Sequence, residues 1–125
     1  MTETRYRITW GDTDAGGLIY YPRLFHLFVV GLNDHVGSEH LMDRLRREGH
    51  VLPVVEAEAS FEAPLRAGDE VVIETTVPTT GESSLSPEFE IRRGETVAAT
   101  GSATFVLVDS AFDSTPLPDW FRAAL

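Results

Sequence analysis

Polar and apolar residues alternate at the start of the chain, where Tyr6, Ile8 and Trp10 fall between Arg5, Arg7 and Thr9. A period of two belongs to a strand with one buried face, so the pattern predicts a strand that buries Trp10. The run Gly11-Asp12-Thr13-Asp14-Ala15-Gly16-Gly17 then gathers turn residues and predicts an irregular turn. Pro22, with fixed φ and no N–H to lose, suits a first helical position. Leu24, Phe25, Phe28, Val29 and Leu32 recur at helical spacing, and Val30 adds apolar surface on another side. A well-buried helix follows, which Gly31 and Gly37 are expected to weaken or interrupt. Ser38 is placed to cap a second, charged helix through Leu41, Met42 and Leu45 that ends at Gly49.

Beyond Gly49 the pattern changes to strands at 51–61, 70–77, 85–91 and 97–108, separated by the turns 67–69, 80–82 and 92–95. In the first of these, Val55, Ala57, Ala59 and Phe61 alternate with Glu56, Glu58, Ser60 and Glu62, predicting one buried and one wet face. Residues 118–122 read as a short terminal helix. No internal repeat and no long linker divides the chain, so one α+β domain over 1–125 is expected. Its buried helix must cover one face of the sheet that the later strands build. An uncovered sheet edge would invite a second subunit.

Composition narrows the function. Hydrophobic residues make up 42% of 125, enough for one core, while so small a domain leaves apolar surface for a second copy. No run approaches the roughly 18 apolar residues of a membrane span, and the N-terminus lacks a basic start followed by an apolar run. Cysteine is absent, which excludes disulfides, thiolate nucleophiles and cysteine metal sites. Twenty acidic residues oppose ten basic ones, all arginine, for a net charge of −10, which argues against nucleic-acid binding. Either a salty cytoplasm or an arginine-favouring genome accounts for that balance. His26, His35, His40 and His50 form no metal-ligand spacing, so no metal is expected. A soluble cytoplasmic enzyme is the expectation.

The stretch from Trp10 to Pro22 carries the candidate chemistry. Two carboxylates, Asp12 and Asp14, lie on a glycine-rich turn just before a helix start. Free N–H groups at the positive end of a helix suit a polarised carbonyl, and a nearby carboxylate suits attack on it or activation of water. The alternative is that both aspartates hydrogen-bond their own turn. Spacing leaves both readings open.

The same stretch resembles the signature of hotdog-fold thioesterases of the 4-hydroxybenzoyl-CoA thioesterase type, with its strand, Asp-x-Asp turn and aromatic-Pro helix start. Ser60-Phe61-Glu62-Ala63-Pro64 with Gly68-Asp69, Glu82-Ser83-Ser84, Ala99-Thr100-Gly101 and 105–109 resemble later segments of that family in the right order. The resemblance implies a hotdog fold, with an antiparallel sheet of about five strands wrapped around a central helix. It implies an acyl-CoA thioesterase with Asp14 as nucleophile or general base and the Tyr21 backbone amide polarising the thioester carbonyl. Asp12 would shape the turn. Gly16 and Gly17 would admit the acyl group, and Tyr20 and Phe25 would line its pocket or pack in the core. Ser84 would touch the pantetheine arm or merely begin a strand. Arg92 and Arg93, with Arg66 and Arg23, would meet the CoA phosphates or stand as solvated surface charges. No cofactor is implied, since CoA belongs to the substrate, and the family implies a homodimer or homotetramer with sites at the subunit boundary. The sequence departs from the benzoyl-type pattern at Thr80-Gly81-Glu82, where that family carries a basic run, and at Arg23 and Leu24. Two competing readings are a hotdog hydratase or dehydratase, for which His26 is the candidate residue, and a non-catalytic acyl-CoA-binding module.

Overall fold

A computed structural model describes residues 1–37 and 39–125, with the side chains of Glu39 and His40 left aside. The expected cap at Ser38 and any ligand role for His40 lie outside the described residues. The chain runs β1 (Thr2–Arg7), a 3-10 turn (Trp10–Asp12), α1 (Arg23–Val36), α2 (Glu39–Arg47), β2 (Val54–Phe61), β3 (Glu70–Thr80), β4 (Ser84–Arg93), β5 (Thr96–Val106) and α3 (Asp119–Arg122). Five strands form one antiparallel sheet in the order β1-β3-β4-β5-β2. The fold is α+β, with α1 lying on the inner face of the sheet in the hotdog arrangement.

α1 buries Leu24, Leu27, Phe28, Gly31, Leu32 and Val36. The stripe is rotated from the expected one, so Val29 is exposed and Leu27 is core. Gly31 does not interrupt the helix, which is continuous to Val36. It sets the distance between helix and sheet instead: a Cβ there would lie 2.5 Å from Thr75 Oγ1 and 2.8 Å from Ile73 Cγ2. Gly101 on β5 does the same for Phe28, whose Cε2 would meet a Cβ at 2.4 Å. In that space Phe28 stacks on Phe89 of β4, centroids 4.5 Å apart and planes at 2°. Gly37, at φ 94°, ends α1 as expected of a left-handed cap.

Two expectations fail at the edges. Trp10 is 82% exposed, because β1 stops at Arg7 and the chain enters the 3-10 turn. β2 is exposed along nearly its whole length, Val55 and Phe61 included, and its register with β5 shifts between Val54 and Glu56. It lies at the sheet edge, where a single helix packed mainly on β1 and β3 covers little of it. At the far end, α3 buries Phe121, and Arg122 reaches the carbonyls of Gly81 and Glu82 at the β3–β4 turn.

Candidate active site

The end of β1 is fastened to the loop before β3, with Ile8 N–H donating to Asp69 C=O at 2.9 Å and Gly68 N–H to Ile8 C=O at 2.8 Å. After the 3-10 turn the chain doubles back in a small hairpin. Thr13 faces Ile19 across it, and Asp14 N–H donates to Leu18 C=O at 2.8 Å. Gly17 takes φ 81°, which only glycine adopts without strain. The returning limb is held by Ile19 N–H on Leu65 C=O and by Leu18 opposite Arg66. The Tyr20 N–H donates to Asp12 C=O at 2.8 Å, and α1 begins directly afterwards.

Asp12 is fully buried, and both its oxygens are engaged. Oδ2 accepts from the Tyr6 hydroxyl at 2.9 Å, the Thr9 N–H at 2.9 Å and the Thr9 hydroxyl at 3.0 Å. Oδ1 accepts from Arg23 Nε at 2.7 Å. Burial works against the charged form, yet the bonds from Arg23, Thr9 and Tyr6 outweigh it and hold this carboxyl down at about 2. The same contact raises the Arg23 guanidinium, and burial beside Asp12 raises the Tyr6 phenol.

Asp14 is exposed and differently held. Its Oδ1 accepts the N–H of Gly16 at 2.8 Å and, more weakly, that of Leu18 at 3.4 Å. Its Oδ2 has no partner among the described residues. The N–H groups of Arg23, Leu24 and Phe25 are consumed by turn bonds to the carbonyls of Tyr20, Tyr21 and Pro22. The Tyr21 N–H has no acceptor among the described residues. A carboxylate with one oriented and one open oxygen therefore shares a hairpin-to-helix segment with an unused donor at a helix N-terminus.

A cleft of about 370 Å³ opens beside Tyr21, lined by Leu18, Ile19, Phe61, Glu62, Ala63, Pro64 and Leu65. Spacing gave no signal for this lining, because the loop after β2 is far from the hairpin in sequence. Tyr20 is exposed and meets Tyr21 edge-on at 5.6 Å, whereas Phe25 packs edge-on against core Phe28. Gly16 and Gly17 form the hairpin tip. Ser84 begins β4 opposite Val106, at the other end of that strand from Arg93. At about 3.4 Å per residue, ten residues of β4 put it about 30 Å from Arg93.

Arg92 lies on the outer face between Glu90 at 2.8 Å and Glu74 at 3.2 Å. Its hydrogen bond lowers the Glu90 carboxyl, while burial and the neighbouring Glu90 raise that of Glu74. Arg93 contacts Asp69 at 3.4 Å and the Pro64 carbonyl. Arg23 is committed to Asp12, and Arg66 has no carboxylate partner among the described residues. His35 is engaged by Thr2 Oγ1 and the Leu125 carbonyl, and Gly37 separates its helix from that of Glu39. Among the described residues no three His, Asp or Glu side chains gather as metal ligands, and no helix is long and apolar enough to cross a membrane.

Comparison with known proteins extends this picture. The 1,4-dihydroxy-2-naphthoyl-CoA hydrolase of Microcystis aeruginosa is 28% identical over 118 residues, covering 86% of this chain and 80% of that one. The crystal structure of a 1,4-dihydroxy-2-naphthoyl-CoA thioesterase from Synechocystis superposes with a TM-score of 0.89 at 23% identity, over 98% of this chain and 93% of that one. A gentisyl-coenzyme A thioesterase superposes with a TM-score of 0.86 at 26% identity, over 97% and 99%. The expectation of a thioester hydrolase agrees with the names these relatives carry, while none bears the 4-hydroxybenzoyl-CoA name. Residues 8–125 match one family throughout, and the chain belongs to the Thioesterase-like superfamily.

Proposed function

We propose that this chain hydrolyses acyl-CoA thioesters, and that the acyl group is a hydroxylated aromatic acid. The observation that carries the reading is one hairpin-to-helix segment on which an Asp14 oxygen and the Tyr21 N–H both have no partner among the described residues. The naphthoyl and gentisyl substrates in the relatives' names, together with an apolar cleft flanked by Tyr21 and Phe61, favour an aromatic acyl group.

In the proposed reaction the thioester oxygen accepts the Tyr21 N–H at the helix N-terminus, which polarises the carbonyl. The Asp14 carboxylate then attacks the carbonyl carbon, the tetrahedral intermediate expels CoA as its thiolate, and water cleaves the resulting anhydride. In the general-base form Asp14 takes a proton from water and the hydroxide oxygen attacks. Both routes convert thioester and water to free acid and CoA thiol, without a cofactor or metal. Labelled solvent oxygen enters the Asp14 carboxylate only on the first route.

The 125 residues act as one catalytic domain, and two copies pair through the exposed edge strand β2. Exposed Val54, Val55 and Phe61 support that edge, and the cleft beside Phe61 then lies near the subunit boundary. Arg66, opposite Leu18 and without a carboxylate partner among the described residues, is the favoured phosphate contact; Arg92 and Arg93 would first have to leave their carboxylates. A panel of CoA esters assayed for thiol release tests the reading. Hydroxyaryl esters should give the highest kcat/KM. Tight binding without thiol release, or a preference for straight-chain esters, contradicts it.

A further inference from the structure

We propose that Arg23 is a positioning residue for the reaction at Asp14. Clamped on the buried Asp12 carboxylate, it holds the first turn of α1, and with it the Tyr21 amide, at a fixed spacing from the Asp14 hairpin. The inference rests on the reading of Asp14 and Tyr21 given above.

Asp12 is the joint between the two halves of the site. Its main-chain carbonyl accepts the Tyr20 N–H at 2.8 Å, and its side chain accepts Arg23 Nε at 2.7 Å. Tyr21 lies between those two anchor points, both fastened to one residue. Arg23 N–H closes the short loop by donating to Tyr20 C=O at 2.7 Å. On the other side, Asp14 is two residues beyond Asp12 and lies in the hairpin that Thr13 begins. Asp12 itself cannot drift, because Tyr6 on β1 and Thr9 hold its second oxygen.

The identity of residue 23 supports a specific role. An arginine at the first position of a 14-residue helix faces the positive end of the helix dipole, where a cation is disfavoured. Its side chain is still 42% exposed, so burial of the arginine does not explain the choice. Departures from local preference are expected where the site demands them. A cation here binds Asp12 Oδ1, and through it sets where the helix begins.

The test compares Arg23→Met, Arg23→Lys and Asp14→Asn with the unaltered protein, by steady-state kinetics on the best CoA ester and by amide hydrogen exchange. A displacement of about 1 Å in such a site costs about 10²-fold, so Arg23→Met should lower kcat by about that factor while KM changes little. Arg23→Lys retains a cation able to reach a single oxygen and should recover most of kcat. Exchange at 16–21 should quicken in Arg23→Met, while that in β4 and β5 is unchanged. A kcat equal to that of the unaltered protein would reduce Arg23 to a partner for a buried charge and overturn the proposal. So would a raised KM at constant kcat, the mark of a substrate contact. If no ester is turned over, the thioesterase reading fails instead, and if Asp14→Asn turns over as fast as the unaltered protein, the role given to Asp14 fails. Exchange at 16–21 then decides the clamp, and unchanged exchange overturns it.

Discussion

Replacing Asp12 by Asn keeps the volume of a fully buried side chain and removes only its charge and one acceptor atom. The carboxylate has three donors on Oδ2 and one, Arg23, on Oδ1. An amide has a single oxygen, so its NH2 must face either Arg23 Nε–H or the donors from Tyr6 and Thr9. Keeping the three-donor side sacrifices the Arg23 bond, a charge-assisted one worth about 1.5–3 kcal/mol, and weakens the other three. Arg23 is partly exposed and can turn to water, which spares the larger penalty of a stranded buried charge. The expected loss is therefore about 2–4 kcal/mol, or roughly 10 °C in Tm for a chain of this length. Urea unfolding followed by tryptophan fluorescence at several pH values measures it. The wild-type carboxyl is lowered from 3.8 to about 2, so its contribution is complete above pH 3.8 and disappears as pH falls through 2. The gap between wild type and Asp12→Asn should accordingly be constant from pH 6 to 5 and narrow steadily below 4. A gap under about 0.5 kcal/mol at neutral pH would place Asp12 among ordinary surface positions. A gap that widens on acidification would mean that the Asp12 carboxyl is not held below its ordinary range.

Gly101→Ala puts a Cβ 2.4 Å from Phe28 and 2.5 Å from the Glu58 carbonyl, and overpacking of this kind should cost about 1–3 kcal/mol by calorimetry. Thr75 is buried beneath Gly31 with its hydroxyl unpartnered among the described residues, so Thr75→Val should raise stability by about 1 kcal/mol in the same measurement. Val55→Asp on the exposed edge strand should shift the protein toward monomer in light scattering at micromolar concentration and lower turnover with it.

The alternation and helical spacing revealed the order of elements, the sheet and the buried helix. They failed where tertiary position decides. Alternation extends through Trp10, but β1 ends three residues earlier, at Arg7, and Asp12 captures the Thr9 amide and hydroxyl and draws the chain into a 3-10 turn. β2 carries the pattern of a half-buried strand, yet its place at the sheet edge is set by pairing with β5 alone. Gly31 was expected to weaken α1 on propensity, whereas close approach to β3 is what it provides. Within the site, the Asp-x-Asp turn and the helix start were legible because turn residues and proline announce themselves locally. The Asp12–Arg23 pair was not, because Arg23 reads equally as a phosphate ligand until its partner is seen. Nor were the cleft residues 61–65, which are brought to the hairpin by the Leu65–Ile19 and Arg66–Leu18 pairings.

The most direct test of the account is the turnover number of Asp14→Asn on the preferred CoA ester, measured on protein whose amide exchange and Tm match the unaltered chain. Asp14 is exposed and the asparagine oxygen can still accept the Gly16 N–H, so folding should be unaffected. A fall in kcat of about 10²–10⁴-fold is predicted for a carboxylate that takes part in the chemistry. Turnover within a few-fold of the unaltered protein would show that Asp14 takes no part in the chemistry and move the reaction to another group.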